Sequence, residues 1–124
     1  MFRNSKLHVI ASRFSNYFNT KLAAMLKDLS LNYHNKIRAF DLNKAFTNNL
    51  EEFGKIAGNN NLDAATQTPF MSFLKTRNIT PKYLGTATAS NLNKYAFFDV
   101  IHPTGALHAL MANSLYNVVK KPWS

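Results

Sequence analysis

Few segments of this chain have the character of a β-strand, and helical patterns separate them. Residues 37–40 (Ile-Arg-Ala-Phe) and 95–98 (Tyr-Ala-Phe-Phe) are short apolar or aromatic runs, which are typical of buried strands. A strand between helices belongs to a layered α/β fold, but a parallel sheet needs more strands and has both faces covered. We therefore expect the 124 residues to be an incomplete domain whose central strands lie elsewhere.

Three segments repeat apolar residues at the spacing of an amphipathic helix. The first covers about residues 5–30, and its apolar positions are Leu7, Ile10, Phe14, Phe18, Leu22, Met25 and Leu29. The second follows Asp41, which can cap its N-terminus, and ends near Gly54. The third follows Pro103, a residue suited to the first turn of a helix.

Between the second and third helices, both kinds of pattern fade. Residues 58–61 read Gly-Asn-Asn-Asn, and the rest of the stretch contains prolines and many Thr, Ser and Asn residues, which favours turns and loops. We predict one long loop over residues 54–93, with a short helix at 70–74. The predicted order of elements is helix, strand, helix, long loop, extended segment, helix.

Basic residues outnumber acidic ones by 15 to 6, which gives a formal net charge of +9. The basic residues are spread along the chain, which is more typical of a solvated surface than of a dedicated binding face. We expect a weak, non-specific attraction to anionic membranes or nucleic acid. The lack of cysteine excludes disulfide bonds and thiol chemistry.

The sequence contains no recognisable membrane span or leader. No stretch reaches the ~20 apolar residues that a membrane span needs. The apolar run at residues 7–11 is too short for the core of a signal peptide. As written, the chain is expected to stay in the cytoplasm.

The segment with the most chemical information is Asp99-Val100-Ile101-His102. Asp99 is the single acidic residue after Asp63. An Asp three residues before a His can accept a hydrogen bond from one ring nitrogen, while the other nitrogen takes a proton from a serine hydroxyl. Spacing alone leaves two other interpretations open. Asp99 could cap a helix beside a surface histidine, or Asp99, His102 and His108 could bind a metal, although zinc needs three or four convergent ligands.

The wider segment, Phe97-Phe98-Asp99-Val100-Ile101-His102-Pro103-Thr104 with His108 beyond it, resembles the closing block of the SGNH hydrolases, also called GDSL lipases. In the bacterial lipase, phospholipase and acyltransferase branch, this block reads Phe-Trp-Asp-x-x-His-Pro-Thr, so Phe98 replaces a Trp. Asn19 to Leu22 is similar to an Asn-x-x-Leu element of the family. Phe40-Asp41 is similar to a strand that ends in Asp before a helix.

This resemblance implies the C-terminal portion of a three-layer, flavodoxin-like α/β fold. Residues 54–93 correspond to a variable loop and residues 95–112 to the closing block. The resemblance assigns His102 as the base of a Ser-His-Asp triad and Asp99 as the residue that orients it. The implied reaction is hydrolysis of a carboxylic ester, with lipid acyl esters as the leading substrate class, and neither a cofactor nor a metal is implied.

The family's Gly-Asp-Ser nucleophile motif is absent from the sequence, as are the Gly and Asn that form the family's oxyanion hole. The cysteine pair that many relatives carry in the long loop is absent as well. We therefore interpret residues 1–124 as a C-terminal fragment that is inactive unless a Ser-bearing N-terminal half completes it. Two alternatives stay open: a non-catalytic remnant, or a basic, aromatic-rich module that binds membrane or nucleic acid.

Overall fold

The computed structural model describes residues 6–34, 36–67, 74–77 and 80–122. The chain divides into two compact units, residues 1–40 with 117–124, and residues 41–116. Among the described residues, the long helices are α1 (Lys6–Asn32), α2 (Leu42–Lys55) and α3 (Gly105–Val119), the strands are β1 (Asn60–Ala64) and β2 (Tyr95–Phe97), and a 3-10 helix covers Ala89–Lys94. The architecture is mixed α/β, as the sequence predicts.

The first unit is built on α1, which confirms the helix predicted for residues 5–30 and continues to Asn32. Most of the large apolar side chains on α1 are exposed, whereas Leu26 and Leu29 near its end are half-buried. The first five turns of α1 therefore carry apolar side chains that the described residues leave uncovered. Within the described ranges, no helix combines the length and the apolar character needed to cross a bilayer.

Residues 37–40 form no strand and no helix, so the strand predicted there is wrong. A strand requires a ladder of hydrogen bonds with a neighbour, and the described part of the chain provides no ladder for this segment. The Arg38 guanidinium donates hydrogen bonds to three main-chain oxygens, those of Val118 (2.7 Å), Val119 (2.5 Å) and Lys121. These oxygens lie at the C-terminal end of α3, where helix carbonyls lack partners within the helix, so Arg38 caps that end.

The second unit begins with α2, at the residue that the sequence predicts. Asp41 is the N-cap, and its Oδ1 accepts a hydrogen bond from the Lys44 amide (2.9 Å). The helix ends at Lys55, one residue beyond Gly54, as the sequence predicts to within one residue. A Cβ at Gly54 would lie 2.3 Å from the side-chain nitrogen of Asn61, which donates to the Leu50 carbonyl (3.0 Å). Glycine at this position therefore allows β1 to approach the end of α2.

The two strands form a parallel sheet, with Asn60 beside Tyr95 and Ala64 beside Phe97. The register shifts between these two pairs, so the ladder is irregular. β2 confirms the strand predicted from the aromatic run at residues 95–98. A parallel pair of strands requires a crossover connection, which here is the chain between β1 and β2.

The loop predicted over residues 54–93 is wrong in two places. Residues 60–64 form β1, although 60 and 61 belong to the Gly-Asn-Asn-Asn sequence expected to be a turn, and residues 89–94 form the 3-10 helix. Gly58, with φ of 82°, does form the turn that precedes β1. The short helix predicted at 70–74 lies mostly outside the described residues. β1 has little apolar character, so its pairing with β2 determines its conformation.

A small apolar core joins α2, β2 and α3. Phe53, Ala96 and Leu107 are buried, and half-buried apolar side chains pack against them: Phe46, Leu50, Phe97, Ala106 and Leu110. Asn49 on α2 adds a polar contact, since its side-chain amide donates to Ser114 Oγ on α3 (2.8 Å). The core holds β2 against the beginning of α3, and the loop that connects these two elements contains the Asp-x-x-His sequence.

Candidate catalytic site

The loop between β2 and α3 is closed by main-chain hydrogen bonds. The Phe98 amide donates to the His102 carbonyl (2.8 Å), and the Thr104 amide donates to the Ala96 carbonyl (2.9 Å). The chain therefore reverses direction within a few residues, and Asp99 lies at the beginning of the reversal. Because main-chain hydrogen bonds close both ends of the loop, its backbone has a defined conformation from which the side chains project.

The Asp99 carboxylate organises this loop from within. Its Oδ1 accepts hydrogen bonds from the amides of Ile101 (2.8 Å) and His102 (2.7 Å). This is the pattern of an Asx turn, in which an aspartate side chain bonds the main chain two residues further on. Asp99 is buried, with 6% of its surface exposed. The two amide hydrogen bonds therefore fix the position of the carboxylate and, at the same time, the conformation of the loop.

The same carboxylate holds the His102 ring. Nδ1 of His102 lies 2.9 Å from Asp99 Oδ1 and 2.8 Å from Oδ2. An ionised carboxylate only accepts hydrogen bonds, so Nδ1 is the donor, and Nε2 is the ring nitrogen that would exchange a proton with a reactant. The His102 side chain is 52% exposed and the Asp99 side chain 8%. A buried carboxylate behind an accessible imidazole is the arrangement of a general base and the residue that orients it.

Two opposing effects act on the ionisation of Asp99. Burial disfavours the charged carboxylate and raises its pKa, but the hydrogen bonds from the His102 and Ile101 amides and from the His102 ring outweigh burial. The pKa of the Asp99 carboxyl is therefore held below its usual value. Asp99 is ionised at neutral pH and can accept the Nδ1 proton of His102 in a hydrogen bond.

Two buried threonines attach the loop to the core. The Thr66 amide and Oγ1 both donate to the Phe98 carbonyl, each at 2.8 Å. Thr104 Oγ1 donates to the Tyr95 carbonyl (2.7 Å). Thr104 belongs to the His-Pro-Thr sequence of the closing block, so its motif marks it. Thr66 belongs to no recognisable sequence motif, so its contact with the loop could not be predicted from the sequence.

Pro103 lies before the helix and not in its first turn as predicted. Pro103 pairs with Phe97 in an antiparallel bridge, and α3 begins after Thr104. Thr104 stands at the N-cap, with its Oγ1 accepting a long hydrogen bond from the Leu107 amide (3.4 Å). The interpretation of Asp99 as a helix cap is therefore wrong, because its carboxylate accepts hydrogen bonds from amides of its own loop and not from the first turn of α3.

The remaining histidines do not join the site as metal ligands. His108 is exposed on α3. In the described part of the chain, no three or more His, Asp or Glu side chains lie close enough together to hold a metal ion, so Asp99, His102 and His108 do not form a metal centre. His8 on α1 and His34 after it are exposed in the first unit. Among the described residues, the candidate site therefore centres on the hydrogen-bonded pair of Asp99 and His102.

Two apolar residues immediately precede His102 in the loop. Val100 is 65% exposed and Ile101 is 62% exposed. The loop that carries His102 therefore also exposes apolar surface to solvent.

The geometry of this pair and the resemblance of its sequence are the grounds for assigning it a role. No protein-family model, curated protein or solved structure matches the chain.

Proposed function

We propose that this chain supplies the general base, His102, and the orienting carboxylate, Asp99, of a Ser-His-Asp triad in a carboxylic ester hydrolase of the SGNH/GDSL type. The observation that carries the proposal is the contact of His102 Nδ1 with both oxygens of the buried Asp99 carboxylate, at 2.9 and 2.8 Å. The parallel pairing of β1 with β2 suits one edge of the larger three-layer, flavodoxin-like sheet that this proposal requires.

In the proposed reaction, His102 takes up and releases one proton in each of two half-reactions. Nε2 takes the proton of a serine hydroxyl as the serine oxygen bonds to the ester carbonyl carbon. The tetrahedral intermediate then loses the alcohol, and Nε2 returns the proton to the departing oxygen. Water hydrolyses the acyl-serine by the same two transfers. Asp99 stays ionised throughout and stabilises the imidazolium that forms after each proton uptake.

The serine has to come from outside this sequence, because no Gly-Asp-Ser motif occurs in it. The donors of an oxyanion hole, often the largest contribution to such catalysis, have to come from the same source. The proposal therefore includes a Ser-bearing N-terminal half as the partner of this chain. The proposed substrate is a lipid acyl ester, and the exposed apolar side chains of Val100 and Ile101, on the same loop as His102, support this choice.

The experiment joins the chain with a Ser-bearing half and asks whether His102 activates the serine. The coding sequence next to this chain is the first source of a Gly-Asp-Ser segment, and the two pieces would be co-expressed and purified together. A fluorophosphonate reagent reports an activated serine by covalent labelling. Turnover of a chromogenic short-chain ester and of a lysophospholipid is measured in parallel.

His102→Ala is expected to prevent labelling and to lower turnover by about 10²–10⁴-fold or more, since it removes the base. Asp99→Asn should leave residual activity because the ring is present but poorly oriented. His108→Ala is the matched control and should change turnover by less than about tenfold. Loss of activity in His108→Ala with tolerance of His102→Ala, or a flanking sequence without a Gly-Asp-Ser segment, would contradict the proposal.

A further inference from the structure

α1 exposes an apolar stripe along most of its length. The side chains of the stripe, each between 36% and 70% exposed, are Ile10, Phe14, Tyr17, Phe18, Leu22 and Met25. At about 100° per residue these positions fall within an arc of about 140°, over a length of about 23 Å. Half of them are aromatic, a residue class that suits a boundary between apolar and aqueous phases. The stripe is therefore a linear apolar surface that the described residues leave exposed.

Over residues 6–27 of α1, every charged side chain is basic. The cations of α1 are Lys6, Arg13, Lys21 and Lys27, and no Asp or Glu precedes Asp28. Lys6 and Arg13 fall along one edge of the arc. Lys21 falls within the arc, with its Nζ 5.5 Å from the centre of the Tyr17 ring. Lysine side chains of this kind keep the stem on apolar surface while the ammonium reaches a polar phase.

This charge selects among the surfaces that could cover the stripe. A second copy of α1 would bring the same uncompensated cations together, which opposes association. Nucleic acid would compensate the cations but would leave most of the aliphatic and aromatic stripe in water. An anionic bilayer does both, since the apolar side chains enter the boundary between headgroups and acyl chains, and Lys and Arg reach anionic headgroups.

We propose that α1 is an interfacial helix that binds in the plane of an anionic lipid surface through this stripe. The proposal rests on α1 alone and not on the proposed ester hydrolysis. The Ser-bearing half proposed above would compete with lipid if it covered the same stripe, so the experiment uses this chain without that half.

Binding of the full chain to lipid vesicles tests the proposal. One set of vesicles is pure phosphatidylcholine and the other contains about one third phosphatidylglycerol, which gives a negative surface. We expect co-sedimentation with the anionic vesicles, at least about tenfold stronger than with the neutral ones and decreasing as salt is added. The double substitution Phe14→Ser with Phe18→Ser should weaken that binding by at least about tenfold.

Matched controls separate the stripe from general changes in polarity and charge. Val9→Ser with Leu31→Ser removes two exposed apolar side chains (47% and 61% exposed) that lie outside the arc, and should leave binding unchanged. Arg13→Gln with Lys21→Gln should weaken binding to anionic vesicles only. Lys82→Gln with Lys94→Gln lowers the net charge equally, at exposed positions of the second unit, and should have little effect.

Circular dichroism checks that each variant keeps its helix content. The charge substitutions test the proposal independently if the Phe variants lose helix. Equal binding to neutral vesicles overturns the proposal, as does unchanged binding of the Phe14 and Phe18 variant. Absence of binding to either vesicle also overturns it, and an acidic protein surface would then be the cover to seek.

Discussion

Asp99 supports the loop and the His102 ring with one carboxylate. Oδ1 accepts hydrogen bonds from two main-chain amides, and both oxygens contact Nδ1 of the ring. Hydrogen bonds to a charged group contribute about 1.5–3 kcal/mol each, more than neutral ones. The conformation of the loop and the orientation of the His102 ring therefore both depend on the ionised form of Asp99.

The hydrogen bonds to Asp99 should make the stability of the loop depend on pH in the acid range. Because the pKa of Asp99 is lowered in the folded protein, its stabilisation is fully present above the unfolded value of ~3.9. That stabilisation is lost as the pH falls through the lower folded value. We expect the amides of Ile101 and His102 to lose protection in that acid range, as measured by hydrogen exchange with NMR detection.

Substitution of the carboxylate provides the control for this prediction. Asp99→Asn cannot ionise and should remove the acid transition at the Ile101 and His102 amides. Asp63→Asn alters an exposed carboxylate and should leave the transition in place. If Asp99→Asn kept the transition, a group other than Asp99 would control the loop.

At the scale of elements, Thr104 joins the end of β2 to the beginning of α3. Its Oγ1 donates to the Tyr95 carbonyl (2.7 Å), and it accepts from the Leu107 amide (3.4 Å). Thr104 is buried, with 3% of its surface exposed. Water is therefore poorly placed to replace the hydroxyl, and Thr104, together with Thr66, attaches the loop that carries His102 to the core.

We expect Thr104→Ala to lower the free energy of unfolding by about 1–3 kcal/mol, because the Tyr95 carbonyl loses its donor in a buried place. Thr104→Ser keeps the hydroxyl and should recover most of that loss. Denaturant unfolding measures both, and the NMR signals of the His102 ring report whether the contact with Asp99 persists. A Ser variant as unstable as the Ala variant would show that the methyl group, and not the hydroxyl, is what matters.

At the scale of the whole molecule, the proposed base, His102, occurs in a sequence that has no Gly-Asp-Ser nucleophile motif. Asp99 and His102 contact each other through a hydrogen bond. A histidine without a nucleophile or an oxyanion hole cannot build an acyl-enzyme.

We therefore expect the purified chain alone to hydrolyse a chromogenic short-chain ester no faster than free imidazole at the same concentration. Initial rates over a range of ester concentrations should be linear, without saturation. The His102→Ala variant serves as the control for any slow reaction of the exposed ring. Saturable hydrolysis that a serine-directed phosphonate blocks would show that the chain is a complete enzyme by itself.

Local sequence determined the features that depend on neighbouring residues. Apolar spacing predicts α1 to within a few residues of its bounds, and Asp41 predicts the start of α2, because a helix and its cap are made within one segment. The aromatic run predicts β2. The pairing of Asp99 with His102 also follows from sequence, since three residues separate them and the loop closes on itself.

Tertiary structure alone decided the features whose partners are distant in the chain. Residues 60–64 lack a strand pattern and become β1 because β2 pairs with them, whereas residues 37–40 have the pattern and form no strand because no ladder reaches them. Thr66 bonds Phe98, and Arg38 bonds the end of α3, across long stretches of sequence. Hydrogen bonds between distant segments depend on how the chain packs, and no local pattern encodes that packing.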